Sequence, residues 1–172
     1  MAGVDFRDAD AGDFARILAL NHREERQTSP LDPDRLAWLH GLASQHRVAV
    51  VAGQVVAFLL AFREGSAYDG ANYRWFAQRH ARFVYVDRIV VDAAFAGRGI
   101  ARAMYAALAT AARDDGIDRI VCEYNLDPPN PASGASHARR GFSEAGTQVL
   151  AGGKRVSLQI LHLPIAPQGI PT

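Results

Sequence analysis

Two periodicities of apolar residues run along the chain and set the order of its elements. Val4-Asp5-Phe6-Arg7 alternates and predicts a short first strand. Asp10 then stands as an N-cap ahead of Phe14, Ile17, Leu18 and Leu20, whose helical spacing predicts a helix through about Asn21. Thr28-Ser29-Pro30 interrupts the chain, and Pro33 fits the first position of a second helix that carries Leu36, Leu39 and Leu42 to Ala43. Residues 47–52 and 55–63 are nearly continuous apolar runs, read as two strands covered on both faces and joined by a two-residue turn at Gly53-Gln54.

Residues 64–82 carry Tyr68, Tyr73, Trp75 and Phe76 without a clear period, and read as a long ordered connection. A strand over 83–91 follows, then a helix from Gly99 to Asp115 stopped by Gly116, then a strand over 119–124. Pro128, Pro129 and Pro131 predict an irregular passage before a short helix from Ser133 to Arg140. Strands near 147–150 and 155–163 close the fold, with a loose tail after Pro164. Early strands are antiparallel and a βαβ-like unit comes late, so the expected class is a single-domain mixed α/β sheet flanked by helices, with the domain at 1–163 and the tail at 164–172.

Composition narrows the function classes. A length of 172 residues fits one domain, and a formal net charge of +1 gives no global field toward nucleic acid or an anionic membrane. No apolar stretch approaches the roughly 20 residues of a membrane-spanning helix, and the start of the chain does not resemble a signal peptide. Cys122 is the one cysteine, in an apolar run, so it reads as a buried packing residue in a protein of the reducing cytoplasm. The six histidines and the scattered acids show no metal-ligand spacing, so no catalytic metal is expected.

The chemistry concentrates where the strand over 83–91 runs into Gly97-Arg98-Gly99 and a helix begins. Glycines let the backbone curl close to an anion, and the first amides of the helix have no internal partners. Together with the helix dipole they form a phosphate cradle, unless the glycines merely make a tight strand-to-helix turn. Arg102 stands where a dinucleotide fingerprint needs Gly or Ala, and no Lys-Ser or Lys-Thr follows for a nucleotide-hydrolase loop.

Two stretches carry a family resemblance. Val86-Asp87-Arg88-Ile89-Val90-Val91-Asp92-Ala93-Ala94-Phe95-Ala96-Gly97-Arg98-Gly99-Ile100-Ala101 resembles the central motif of the GNAT acetyltransferases, Gln/Arg-x-x-Gly-x-Gly/Ala. Gly99 and Ala101 match, while Ala96 stands where Gln or Arg is usual. Asn130 to Phe142 resembles the family's Asn-x-x-Ala/Ser-x-x-Phe-Tyr-x-x-x-Gly-Phe, with Asn130, Ser133, Gly141 and Phe142 in place. The stretch from Asn125 to Pro131 is similar to an uncharacterised branch of predicted acetyltransferases.

The resemblance implies a sheet splayed between the strands over 83–91 and 119–124, with acetyl-CoA or another short acyl-CoA in the gap. Backbone groups of Ile89, Val90 and Val91 would hold its pantetheine arm, and Gly97, Arg98, Gly99, Ile100, Ala101 and Arg102 its pyrophosphate. Asn130 and Ser133 would touch the arm. His137 stands where the family usually has Tyr as acid for the departing thiolate, and it could serve as acid, as base or as a packing residue. Asp87 sits where many relatives carry a carboxylate beside the acceptor, and it could be the base or an ion-pair partner of an arginine. Glu123 is the second candidate base.

On this reading the aromatic connection covers the acceptor pocket, with Tyr73, Trp75 and Phe76 as its wall and Asn21 and Arg23 on the same side. The acceptor would be a small-molecule or peptide amine, and the assembly a homodimer. The expected reaction is N-acyl transfer by direct attack of a primary amine on the bound thioester. The rival is a module of the same fold that binds acyl-CoA as a sensor without turnover.

Overall fold

The computed structural model describes residues 3–164. Its elements are β1 (Val4–Asp8), α1 (Phe14–Arg23), α2 (Pro33–Leu42), β2 (Gln45–Val51), β3 (Gln54–Arg63), α3 (Ala71–Ala77), β4 (Val84–Val91), α4 (Ile100–Asp114), β5 (Arg119–Asp127), α5 (Pro131–Arg139), β6 (Ser143–Val149) and β7 (Arg155–His162). They form one seven-stranded sheet in the order β1-β2-β3-β4-β5-β7-β6. Every neighbour pair is antiparallel except β4 and β5, which the crossover through α4 makes parallel. The mixed α/β class and the late βαβ unit are as the sequence implied. The tail expected after Pro164 lies outside the described residues.

Several boundaries move for local reasons. Asp10 caps a short 3-10 turn over Ala11–Asp13, and α1 follows from it. The β2–β3 turn is Ala52-Gly53, not Gly53-Gln54, because both residues take positive φ, 50° and 78°, the conformation of a tight hairpin turn. The connection over 64–82 contains α3, with Tyr73 and Phe76 buried on one side. Strand β5 runs on to Asp127, since antiparallel pairing with β7 holds it to the edge of the proline passage. Helix α5 starts two residues earlier than expected, with Pro131 in its first turn and Asn130 as the cap. Strand β6 begins at Ser143 because β7 supplies a partner along its length.

The helices divide between the two faces. Ile100, Met104, Leu108 and Ala112 form the stripe of α4 that packs on Val84, Val86, Ile120 and Cys122. On the other face, α1 and α2 cover Phe58 and Val90 through Ile17, Leu20 and Leu36. There α3 also places Tyr73 and Phe76 among Phe62, Phe83, Tyr85 and Val121.

One polar pair lies under α1 and α2. The His40 and His46 Nδ1 atoms are 2.8 Å apart, so one ring donates to the other. His46 is buried, packs near Phe14 and Phe58, and has no partner for Nε2. Burial, reinforced by His40, pushes its pKa down from 6.5 to about 4 despite the opposing pull of Asp13. The unfolded chain therefore binds a proton at a pH where the folded one does not. His46 costs stability that grows as pH falls from 6.5 to about 4. His46→Leu is expected to flatten the fall of the thermal midpoint over that window. A midpoint that falls equally steeply in the variant would refute the assignment.

Candidate functional site: a cleft between the splayed central strands

Strand β4 departs from regular pairing on both sides. Against β3, Leu60 opposes Arg88 and Ala61 opposes Val86, which leaves Asp87 as the extra residue of a β-bulge. Against β5, only Val84 with Ile120 and Tyr85 with Val121 are paired. Beyond Tyr85 the strands part and open a cleft of about 630 Å³. Ile89, Val90 and Val91 line it from β4, and Asn130, Ser133 and His137 from α5. Backbone groups of β4 that face the gap have no strand to pair with, so a ligand lying there can satisfy them.

A second recess, of about 700 Å³, meets the cleft at Val91 and lies over Ala96 to Arg102. Gly97 and Gly99 there have φ of 75° and 79°, and Gly99 is the left-handed N-cap of α4. A Cβ at either glycine would sit in a conformation that L-residues rarely adopt. Ser136, Arg139 and Arg140 also line the recess, so Arg98 from the glycine turn and Arg102 from α4 share it with two more arginines at the end of α5. The guanidinium of Arg140 lies 5.1 Å from the Tyr105 ring centre, and its Nε is buried without a partner. An anion with several phosphate charges suits this wall. Sequence reasoning passed over Arg139-Arg140, because a two-residue basic run signals nothing until the fold brings it opposite Gly97.

Acidic groups gather at the opposite end of the cleft. The Asp87 carboxylate takes a 2.6 Å ion pair from Arg88 Nε and a short hydrogen bond from the Tyr68 hydroxyl. Arg88 is itself tied down, donating to Asn21 Oδ1 at 2.9 Å and to Ser29 Oγ at 3.0 Å. Glu123 keeps some surface toward the cleft, but its Oε2 is buried and makes no well-formed hydrogen bond. Oε1 accepts from Tyr85 Oη at 3.0 Å. Burial, with the nearby charge of Asp87, raises the Glu123 pKa to about 8, against the opposing pulls of Tyr85, Asn72 and Arg88.

His137 lies on the other face. Its Nδ1 is 2.8 Å from the Ser133 carbonyl oxygen, one helical turn back. A carbonyl only accepts, so Nδ1 carries the hydrogen and Nε2 keeps the lone pair in the neutral ring. Burial lowers the His137 pKa below its ordinary value, which favours that neutral form. The ring stacks on Tyr124 at 5.8 Å and meets the edges of Tyr105 and Phe142.

Five residues expected at the acceptor side stand elsewhere. Tyr73 donates to the Arg63 carbonyl at 2.8 Å and Phe76 is fully buried, because the apolar side of α3 belongs to the sheet. Trp75 packs on β6, where a Cβ on Gly146 would come within 2.8 Å of its ring. Asn21 is buried behind Arg88, and Arg23 reaches Asp92. The connection does line the cleft, through Tyr68, Gly70, Ala71 and Asn72. Across from it, the segment after α1 is held over the mouth by Asn125, which donates to the Arg26 carbonyl at 3.2 Å, and by Lys154, which donates to the Thr28 carbonyl at 3.3 Å. Among the described residues no group of three or more His, Cys, Asp or Glu side chains could hold a metal.

The family model of the acetyltransferase (GNAT) family matches residues 12–142. The chain belongs to that family. No curated protein matches it. Among solved structures, the ribosomal-protein-S18-alanine N-acetyltransferase of Escherichia coli is 16% identical with a TM-score of 0.71, covering 99% of this chain and 100% of its own. An N-acetyltransferase of Staphylococcus aureus Mu50 is 23% identical, TM-score 0.72, with 95% and 100% covered. The yncA protein of Salmonella typhimurium, solved with its cofactor acetyl-CoA, is 23% identical, TM-score 0.68, with 98% and 100% covered. The fold is the GNAT fold.

The raised pKa of Glu123 has a cost. An unfolded glutamate ionises near 4.5, whereas the folded one holds its proton to about 8, so stability falls as pH rises between those values. Glu123→Gln keeps the shape and removes the titration. It is expected to raise stability by about 2–3 kcal/mol near neutral pH, with little gain near pH 4, as read by denaturant unfolding at both. A variant less stable than the parent at neutral pH would contradict this.

Proposed function

We propose that the protein is an acyl-CoA-dependent N-acyltransferase that transfers an acetyl group to a primary amine by direct attack in a ternary complex. The carrying observation is the parting of β4 and β5 beyond Tyr85, which leads from the arginine-walled recess at Gly97 to the acids at Asp87 and Glu123. A CoA thioester fits that course: pyrophosphate over the α4 N-terminus, pantetheine along Ile89 to Val91, acyl group near the bulge. Arg139 and Arg140 supply charge where Ala96 offers no polar contact. Asn130 and Ser133 border the arm, and amides of β4 near Ile89 face the developing oxyanion.

Glu123 is the base in this reading and Asp87 is its neighbour in charge. An aliphatic ammonium ionises near pH 10, so it must lose a proton before it can attack. Before an amine binds, Glu123 is largely protonated at neutral pH. A bound ammonium brings an opposite charge beside it and favours the carboxylate that accepts the proton. Asp87, held by Arg88 and Tyr68, sets the negative field that draws the ammonium in. The held loop over the mouth favours a small amine or an extended chain end over a folded protein surface. A homodimer and a cytoplasmic location belong to the same proposal.

Acetyl-CoA with a panel of amines is expected to release free thiol beyond the hydrolysis blank. The value of kcat/KM should rise with pH through about 8, following Glu123 in the free protein. Glu123→Gln is expected to lose on the order of 10²–10³ in kcat and the acidic limb with it. Asp87→Asn removes the repelling charge, so the limb should move to lower pH and persist. A limb that survives Glu123→Gln and vanishes in Asp87→Asn would transfer the role to Asp87. Tight CoA binding with no thiol release from any amine would favour the sensor reading, which Ala96 and His137 suggest.

A further inference from the structure

Glu123 and Tyr124 are consecutive on β5, so their side chains leave opposite faces of the sheet. Glu123 bonds Tyr85 on the face of α1, α2 and α3. Tyr124 stacks on His137 on the face of α4 and α5, beside Tyr105 and Phe142. Both line the one cleft, because the missing β4 neighbour leaves this stretch of β5 open at its edge.

We infer that Tyr124 is the proton donor to the departing CoA sulfur, so that one dipeptide of β5 serves both proton transfers, one on each face. This rests on the acyltransferase reading above.

Three observations carry it. The neutral His137 ring spends its one N–H on the Ser133 carbonyl, so it is poorly set to donate to sulfur. The Tyr124 ring stacks on it at an interplanar angle of 19°, and both rings line the cleft. Gly134 makes room for this: a Cβ there would stand 3.1 Å from the ring and 3.2 Å from the hydroxyl oxygen. The hydroxyl thus sits against the first turns of α5, where Asn130 and Ser133 border the same cleft.

The protons balance. Glu123 takes one proton from the ammonium. The amine nitrogen bonds to the thioester carbonyl carbon, and collapse of the adduct breaks the carbon–sulfur bond. Tyr124 gives its hydroxyl proton to the sulfur, forming the free thiol. The second nitrogen proton returns through water to the Tyr124 oxygen, and Glu123 releases its proton to solvent. Ammonium and thioester become amide, thiol and one proton.

The test reads the bound thiol directly. CoA isotope-labelled at the carbon bearing sulfur is titrated by NMR on the wild type, on Tyr124→Phe and on Gly134→Ala. A donor aimed at sulfur stabilises the thiolate, so Tyr124→Phe is expected to raise the thiol pKa of bound CoA by about one unit. CoA affinity should stay within about twofold, since the ring is kept. Gly134→Ala shifts the ring by a few tenths of an ångström and should move the pKa the same way by less. With an accepted amine, Tyr124→Phe should also lose on the order of 10²-fold in kcat. The inference is overturned if Tyr124→Phe leaves the thiol pKa unmoved, or if His137→Phe moves it instead. The titration needs no acceptor, so a wild type that acylates no amine would refute the acyltransferase reading by a separate measurement.

Discussion

The pairing of β4 governs the rest of the molecule. Its ladder to β3 continues past the Asp87 bulge, while its ladder to β5 stops after Tyr85. A central strand with one open edge would ordinarily be a liability, since its unpaired amides and carbonyls invite another chain. Here helices α4 and α5 cover one face of the gap and the segment after α1 covers the other. The opening is therefore a cleft inside the domain rather than an exposed edge. The bulge adds a change of phase. Before it, Tyr85 faces α3; after it, Arg88 and Val90 face α1 and α2, on that same side of the sheet. Asp87 and Arg88 thus emerge together, which makes their 2.6 Å ion pair possible between neighbours in sequence.

That ion pair decides how the two acids differ. Asp87 is paired with a guanidinium already fixed by Asn21 and Ser29, which holds its negative charge in place. Glu123 has no cation of its own, and the charge of Asp87 works against its ionisation. Two carboxyl groups in one cleft thereby sit in different electrostatic environments. Part of the price is stability, because a buried carboxyl that resists ionisation favours the unfolded chain above pH 4.5.

Much of the fold was legible because its signals are local. The stop of α4 at Gly116, Pro33 in the first turn of α2 and the glycine before Ile100 each follow from a few neighbouring residues. The splay was legible through the resemblance, and the glycine turn before α4 through its own residues. The acceptor side was not. Tyr73, Trp75 and Phe76 are a short aromatic run, and only the presence of α3 determines that two of them turn inward while Trp75 goes to β6. Glu123 and Tyr124 are ordinary strand residues until the loss of pairing beside them is known. Arg139 and Arg140 became meaningful only once α5 stood opposite the α4 N-terminus. These are long-range facts, and no window of sequence contains them.

The two departures from the family pattern can be weighed in the same terms. At Ala96 the polar side chain of the family pattern is missing, but the recess gains two arginines from the end of α5, one with a buried, unpartnered Nε. At His137 a phenol is missing from α5, but a phenol from β5 lies against the ring that replaced it, in space that Gly134 leaves free. A module kept only for binding has reason to preserve the first arrangement and none to preserve the second. Nor would binding alone account for a carboxyl held near pKa 8 on the opposite face, at a cost to stability. The pairing of a costly acid on one face with an accommodated phenol on the next residue favours turnover over sensing.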